Sequence, residues 1–343
     1  MKNFIFFRTD RLGDFIITTS IIKAIKNKYK DARISVVCSK INSDFIKKYR
    51  IIDKIYVYNK NFSIFEKFFL LSKIISKKYH ASFAFDGKSF SNYCNIFIKS
   101  KYKLGLVYKY KILNVWLSKP NFLYNKFYFD KFETFTSKKN LVKIEHLPQK
   151  LINLGNFFDL KLNTLEKYYF ENDLKINNKF TLFKKKFLKK NYILFHLDEK
   201  WIDIKSIENE LFANLNILQK KTKKQIVITS YKNKFPYFYN LKKNIQENKN
   251  SQIKIIENTN LYLFEKLIKN SYYSISCHSG FLVQIAGSNS ARIIDIINKN
   301  DYQWYSCWKP KNTFHKFIYK SYKNKISLNN IFKEILKVIN NNE

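Results

Sequence analysis

Residues 3–29, "NFIFFRTDRLGDFIITTSIIKAIKNKY", set a continuous apolar run over 3–7 against a helical pattern from about Asp14 to Tyr29. Between the two lie two arginines, two aspartates and Gly13. A strand apolar on both faces belongs in a buried parallel sheet, and a helix following it directly begins a β–α–β crossover. The alternation recurs outward, with strands expected at 32–39, 52–59, 81–87 and 102–108 and helical patterns between them. After an aromatic and lysine-rich stretch over 109–190 it resumes, with strands at 191–197, 225–231, 253–258, 272–277 and 291–297. "SLNNIFKEILKVINN" closes the chain as an amphipathic helix with a serine cap.

This pattern predicts an α/β fold of two Rossmann-like, doubly wound domains facing a cleft, since ligands bind at the carboxyl ends of parallel strands. The expected boundaries are an N-terminal domain over 1–160, a linker over 161–190, a C-terminal domain over 191–325 and a terminal helix over 326–343. A chain of 343 residues is too long for one ordinary core, and 45% hydrophobic residues suffice to fill two. Wholesale disorder is thereby excluded.

The net charge of +38 would attract polyanions through its summed field. Only Arg8, Arg11, Arg33, Arg50 and Arg292 are arginine, and the lysines are dispersed among Asn and Ile, the bias of an A/T-rich coding sequence. The charge is therefore read as a solvated surface with a general attraction to acidic membranes, and no specific nucleic acid is expected. The one concentrated basic and aromatic stretch, "KFTLFKKKFLKK" over 179–190, keeps a nucleic-acid-binding alternative in view. Cys38, Cys94, Cys277 and Cys307 form no CxxC pair and the histidines show no HxxxH spacing, so neither a metal site nor a disulfide framework is expected. Four scattered cysteines suit a reducing cytoplasm. "MKNFIFFRTD" is too short an apolar run for a signal-peptide core, and no window reaches the roughly 18 apolar residues of a span. A cytoplasmic protein, at most riding on a membrane, is the expectation.

Gly13 and Gly280 both fall where an apolar strand meets a helix, where backbone turns sharply and can approach a ligand. Arg8, Asp10, Arg11 and Asp14 cluster around the first of these turns. Arginine forks suit phosphate or carboxylate, so Arg8, Arg11 and Gly13 are candidates for an anionic substrate. Asp14 reads either as a first-turn carboxylate favoured by the helix dipole or as a base for a hydroxyl nucleophile. No GxGxxG or GxxxxGK[ST] is present, which disfavours a dinucleotide dehydrogenase and a P-loop ATPase. His196, Asp198 and Glu199 flank Lys200, the two carboxylates reading more readily as a solvated strand end. Glu257, at the end of an expected strand, reads equally as a contact for a nucleotide ribose or as an exposed strand terminus. Trp201, Trp304 and Trp308 read as core or rim packing.

"RTDRLGDFIITTSIIKAIKNKYKDARISVV" (8–37) resembles the opening of the bacterial lipopolysaccharide heptosyltransferase family, glycosyltransferase family 9. "FHLDEKW" (195–201) and "NTNLYLFEKLIKNSYYSISCHSGFLVQIAG" (258–287) resemble its donor-side segments, while 109–190 matches nothing in it. The resemblance implies the GT-B architecture and an inverting, metal-independent transferase without a cofactor. Its substrates would be a nucleotide sugar such as ADP-heptose and a lipopolysaccharide-core or other surface-glycan acceptor at the inner membrane. Carried over by motif, Asp14 is the catalytic base, Lys200 neutralises the leaving diphosphate, and Ser279 and Gly280 form the turn that holds it. The family's aspartate before [ST]-G is here His278, which can bond a phosphate or ribose but cannot accept two donors as a carboxylate does. A different donor, a shifted binding mode and a family member that binds nucleotide sugar without turnover are the three consequences this departure leaves open.

Overall fold

A computed structural model of the chain describes residues 1–113, 115–119, 128–163, 168–171, 174–230, 235–248, 251–257, 259–289, 291–311, 313–321 and 324–342. Two compact units emerge. Unit 1 comprises Met1–Glu171 with Ser306–Trp308, and unit 2 comprises Asn172–Tyr305 with Lys309–Glu343.

Unit 1 runs β1 (Asn3–Arg8), α1 (Leu12–Lys28), β2 (Arg33–Ser39), α2 (Lys40–Ile46), β3 (Lys54–Tyr58), α3 (Ile64–Ile75), β4 (Lys78–Ala84) and α4 (Ser89–Phe97). It continues through β5 (Lys99–Ile112), β6 (Val115–Lys119), β7 (Lys131–Thr136) and α5 (Leu147–Gly155). The sheet order is β3-β2-β1-β4-β5-β6, with β7 also paired to β5. Strand β1 lies in parallel register between β2 and β4, which is why Phe4, Ile5, Phe6 and Phe7 are all fully buried. Helix α1 is buried over most of its surface, including Thr18, Thr19 and Ser20. Their hydroxyls donate to the carbonyls of Asp14, Ile16 and Ile17, so three polar side chains enter the core without losing hydrogen bonds.

Unit 2 contains α6 (Leu174–Phe187), β8 (Ile193–His196), α7 (Ile207–Thr222), β9 (Ile226–Thr229), α8 (Phe238–Glu247), β10 (Ile253–Ile256) and α9 (Leu261–Asn270). Then follow β11 (Tyr273–Ser276), α10 (Gly280–Gly287), β12 (Arg292–Asn298), α11 (Tyr302–Ser306, whose last residue belongs to unit 1), β13 (His315–Ser321) and α12 (Leu328–Asn340). Its six strands are all parallel in the order β10-β9-β8-β11-β12-β13. Ile193, Phe195, Ile226, Ile228, Ile275 and Ile294 form the centre of its core, with Leu215 and Leu218 of α7 and Ile335 and Ile339 of α12 packed in.

Both units are doubly wound α/β structures, as the apolar alternation predicts. The differences lie at the margins. The expected 161–190 linker is divided, because its first part closes unit 1 and α6 packs on α9 inside unit 2. The terminal helix forms, with the Ser327 hydroxyl accepting from the Asn330 N–H, but it packs on α7 as part of unit 2. Strands β6, β7 and β13 were not expected. The strand expected over 81–87 begins at Lys78, since Lys78 and Tyr79 pair with Lys99 and Ser100 of β5. Tyr231 and Asn258, at the ends of two expected strands, lie outside the described residues.

Candidate functional site

In each sheet the chain winds outward in one direction and then returns to the other side, leaving a switch point between β1 and β4 in unit 1 and between β8 and β11 in unit 2. Loops at the carboxyl ends of such strands diverge there and leave room for a ligand. The sequence-predicted residues fall largely at these two points.

In unit 1, Arg8 ends β1 and turns inward. It is 1% exposed, and its guanidinium donates to the Asp14 carbonyl from Nε (3.1 Å) and Nη2 (2.5 Å) and to the Phe85 carbonyl from Nη1 (2.7 Å). The same Nη1 pairs with the Asp10 carboxylate at 2.9 Å. Arg8, expected on an anionic substrate, thus spends its fork on the protein itself and positions the first turn of α1. Arg11 caps that helix with extended backbone, is exposed, and its guanidinium makes no hydrogen bond among the described residues. Gly13 is buried in the first turn.

Asp14 follows in the same turn, half-buried, and its Oδ2 accepts from the Arg11 N–H at 3.2 Å. Burial raises its pKa above the ordinary 3.8, against the opposing pull of Arg8 and then of Arg11. Asp10 beside it is raised well above that value, again by burial first, with the Asp14 charge adding to the lift. Both carboxyls are thus held above the ordinary value, and the ionisation of each raises the cost of ionising the other.

Asp86, a residue the sequence reading did not single out, pins this turn to the one after β4. It accepts from the Thr9 N–H (3.1 Å), the Thr9 hydroxyl (2.6 Å) and the Ser91 hydroxyl (2.7 Å), and Lys88 Nζ donates to the Thr9 carbonyl at 2.7 Å. Asn42 of α2 donates to the Asp10 carbonyl at 2.8 Å. Tyr108 on β5 lies near the same carboxylates, and burial followed by the Asp10 and Asp14 charges pushes its hydroxyl pKa up.

In unit 2, Lys200 lies in a short 3-10 turn after β8 that Asp198 caps, its Oδ1 accepting from the Lys200 N–H at 3.1 Å. Lys200 Nζ donates to the His278 carbonyl at 2.7 Å and faces Asp198 at 3.4 Å, yet its side chain remains 42% exposed. Asp198, read in the sequence as a solvated strand end, is instead half-buried with a raised pKa, because burial outweighs the nearby Lys200 charge. His196 is buried between Thr229 and Phe264, and burial first, then Lys200, lowers its pKa to about 3, so it is neutral. Trp201 is fully buried with its indole N–H on the His196 carbonyl, as core packing predicts.

His278 takes a left-handed backbone (φ 50°) after β11 and stacks on Tyr305 with ring centroids 3.5 Å apart. Its Nδ1 bonds Asp295 Oδ2 at 2.7 Å. Asp295 is fully buried on β12 and also faces His315 Nε2 of β13 at 3.4 Å. Against the cost of burial, His278 and then His315 hold its pKa down to about 2. Asp295 and His315 escaped the sequence reading, although one carboxylate inside "ARIIDII" is the signal of a buried, partnered charge. The Ser279 hydroxyl caps α10 by accepting from the Leu282 N–H, and the Ser279 N–H is taken by Ser276 Oγ. Gly280 opens the helix, and a Cβ there would meet no atom within 4 Å.

Lys200, His278, Ser279 and Gly280 thus meet at one switch point. Glu257 does not join them. It is exposed beyond β10, the edge strand two places from β8, and is paired with Lys242 at 2.6 Å. The basic 179–190 stretch forms most of α6, where Phe180 turns into the protein, 7% exposed, while Phe187 stays 45% exposed. Among the described residues no group of three His, Cys, Asp or Glu has the geometry to hold a metal ion.

No family model and no curated protein sequence matches the chain. Solved structures do. The chain is similar to a glycosyltransferase family 9 protein from Veillonella parvula, with a TM-score of 0.66 and 12% identity, covering 100% of this chain and 91% of that one. It is similar to E. coli heptosyltransferase WaaC with ADP-2-deoxy-2-fluoro heptose, with a TM-score of 0.67 and 12% identity over 99% and 100% of the two chains. UDP-GlcNAc 2-epimerase from Methanocaldococcus jannaschii follows with a TM-score of 0.56 and 12% identity over 99% and 100%. At such identity these likenesses establish the fold, which is the GT-B fold of the heptosyltransferases, as the sequence resemblance implies.

Proposed function

We propose that the chain is an inverting glycosyltransferase of the heptosyltransferase type, moving a sugar from a nucleotide donor to a lipid-linked or surface-glycan acceptor on the cytoplasmic face of the inner membrane. The observation that carries this reading is the Asp14 carboxylate. It stands half-buried at the unit 1 switch point, with its pKa raised by burial and its backbone clamped by Arg8. A base raised toward neutrality is matched to removing a proton from a sugar hydroxyl.

In the proposed reaction the acceptor hydroxyl gives its proton to Asp14, and its oxygen attacks the anomeric carbon from the face opposite the leaving group. The bond from that carbon to the phosphate oxygen breaks, and the nucleoside diphosphate leaves with the electron pair. In unit 2 the exposed ammonium of Lys200 and the first N–H groups of α10, with open space at Gly280, receive the developing phosphate charge. His278 offers its ring to the same group, Ser279 shapes the turn, and Arg11 meets an anionic group of the acceptor. Gly13 lets that turn form, and Glu257 would reach only the far end of the nucleotide. No step in this scheme calls on a metal or cofactor.

The test is transfer from a panel of nucleotide sugars beginning with ADP-heptose and including UDP-GlcNAc, scored by release of nucleoside diphosphate. Asp14→Asn is expected to lower kcat by about a hundredfold or more with donor affinity unchanged, and Lys200→Ala to weaken donor binding as well. Undiminished turnover in Asp14→Asn removes the assigned base. Calorimetric donor binding with no diphosphate release would mark a nucleotide-sugar binder without turnover, and epimerised UDP-GlcNAc would assign the epimerase chemistry of the third neighbour.

A further inference from the structure

Helix α3 is apolar on both sides. Its inner residues Leu70 and Ile74 are buried with Ile5, Phe7, Val37, Cys94 and Ile98 against one face of the unit 1 sheet. Its outer stripe is uncovered, with Ile64 83%, Phe65 86%, Phe68 70% and Phe69 60% exposed. Helix α4 packs beside α3 on the same face and adds Tyr93 and Phe97, 63% and 59% exposed. An amphipathic surface helix turns its apolar stripe inward, so a second apolar stripe facing outward calls for a cover from outside the chain. A patch of four phenylalanine rings with Ile64 and Tyr93 exceeds the scattered apolar exposure that a soluble monomer carries without consequence.

The stripe is also held in place. The Ser63 hydroxyl accepts from the Glu66 N–H at 3.2 Å, and Glu66 accepts from the Ser63 N–H at 2.7 Å, a reciprocal cap that fixes the start of α3. Along this segment of the chain the charge is one-sided, although Lys88 is committed to the Thr9 carbonyl. Between residues 60 and 101 stand eight lysines, at 60, 67, 73, 77, 78, 88, 99 and 101, against Glu66 and the buried Asp86. Lys73 Nζ lies over the Phe69 ring, 4.0 Å from its centroid.

We propose that the α3–α4 face of unit 1 is a docking surface for an anionic lipid bilayer, with Phe65, Phe68 and Phe69 entering the boundary between headgroups and acyl chains and lysines of α3, Lys67 and Lys73, meeting lipid phosphates. Aromatic stripes rimmed by lysine bind interfaces through the sum of apolar burial and attraction to anionic headgroups. A second copy of the chain fits this face poorly, because a two-fold contact would set one lysine rim against its own image. The assignment gives a surface to the membrane association of the proposed function, but it stands on this face alone and is read without donor or turnover.

The experiment is cosedimentation of the full chain with vesicles of equal parts phosphatidylglycerol and phosphatidylcholine, and with phosphatidylcholine alone. The chain should partition onto the anionic vesicles, more weakly as salt is raised. The exposed triple variant Phe65→Ser/Phe68→Ser/Phe69→Ser should lose about tenfold or more of that partition while keeping its circular dichroism and melting temperature. The indole introduced by Phe65→Trp should shift its emission to the blue on anionic vesicles. A triple variant that partitions like the parent chain, or an emission that does not move, overturns the assignment. A parent chain that ignores vesicles but dimerises, with the triple variant monomeric, gives the face to a second copy and overturns it too. Loss of docking with donor turnover intact in detergent leaves the proposed chemistry standing, so the two readings fail separately.

Discussion

His278 is held at Nδ1 by a carboxylate from the neighbouring strand, so the position where the resembled family carries aspartate has its carboxylate one step deeper, on Asp295. That carboxylate selects which ring nitrogen of His278 faces the protein, and Nε2 makes no hydrogen bond among the described residues. The Asp295 pKa, held at about 2 against an ordinary 3.8, means that the native state binds fewer protons than the unfolded chain between those values. Its contribution, about 2 kcal/mol, is present above the ordinary value and is lost as pH falls through about 2. Asp295→Asn should therefore cost roughly 3 kcal/mol at neutral pH and flatten the acid limb of stability, as read by urea titrations across that window. Unchanged midpoints would mean the imidazoles are not paired in solution. Asp14 has the opposite sign, because its pKa is raised, so burying its charge costs stability as pH rises through that value. The stable protonated form and the useful ionised form of that residue are different.

The connection between β4 and α4 shows how a short element is constrained by a distant strand. Gly87 has φ 61°, and a Cβ there would lie 2.2 Å from the Tyr108 ring. Gly87→Ala should destabilise by about 2 kcal/mol and displace Tyr108 from the Asp10–Asp14 pair, seen as a lower urea midpoint and an altered tyrosine environment. An unchanged midpoint would deny the close approach. Central strands such as β1 and β8 were legible because burial on both faces writes them as unbroken apolar runs. Strand β7, "KFETFT", and β13, "HKFIYKS", alternate with charge at the margins of their sheets and read as loop. The 161–190 stretch looked like a linker because its lysines mask the stripe of α6 that meets α9.

For the whole molecule, a charge of +38 on 343 residues makes the folded chain repel itself. Raising ionic strength at fixed pH should therefore raise the melting temperature, with monovalent salts of different identity acting alike at equal strength because the effect is screening. Thermal scans across a chloride series check this, and a falling or flat melting temperature would show the charges to be locally compensated. The sequence by itself determined two parallel-sheet units and the strand-to-helix turns holding Asp14 and Gly280, because apolar periodicity and turn chemistry are local. It also brought Lys200 and His278 into view as a pair of donor-side candidates. Only the tertiary structure decided that Arg8 turns inward onto the carbonyls of Asp14 and Phe85, that Asp86 ties two loops together, and that Asp295 and His315 stand behind His278. Phe85 and Asp86 follow β4, Asp295 and His315 lie on β12 and β13, and which side chains meet across a sheet is set by strand order and register, which no local pattern of residues encodes.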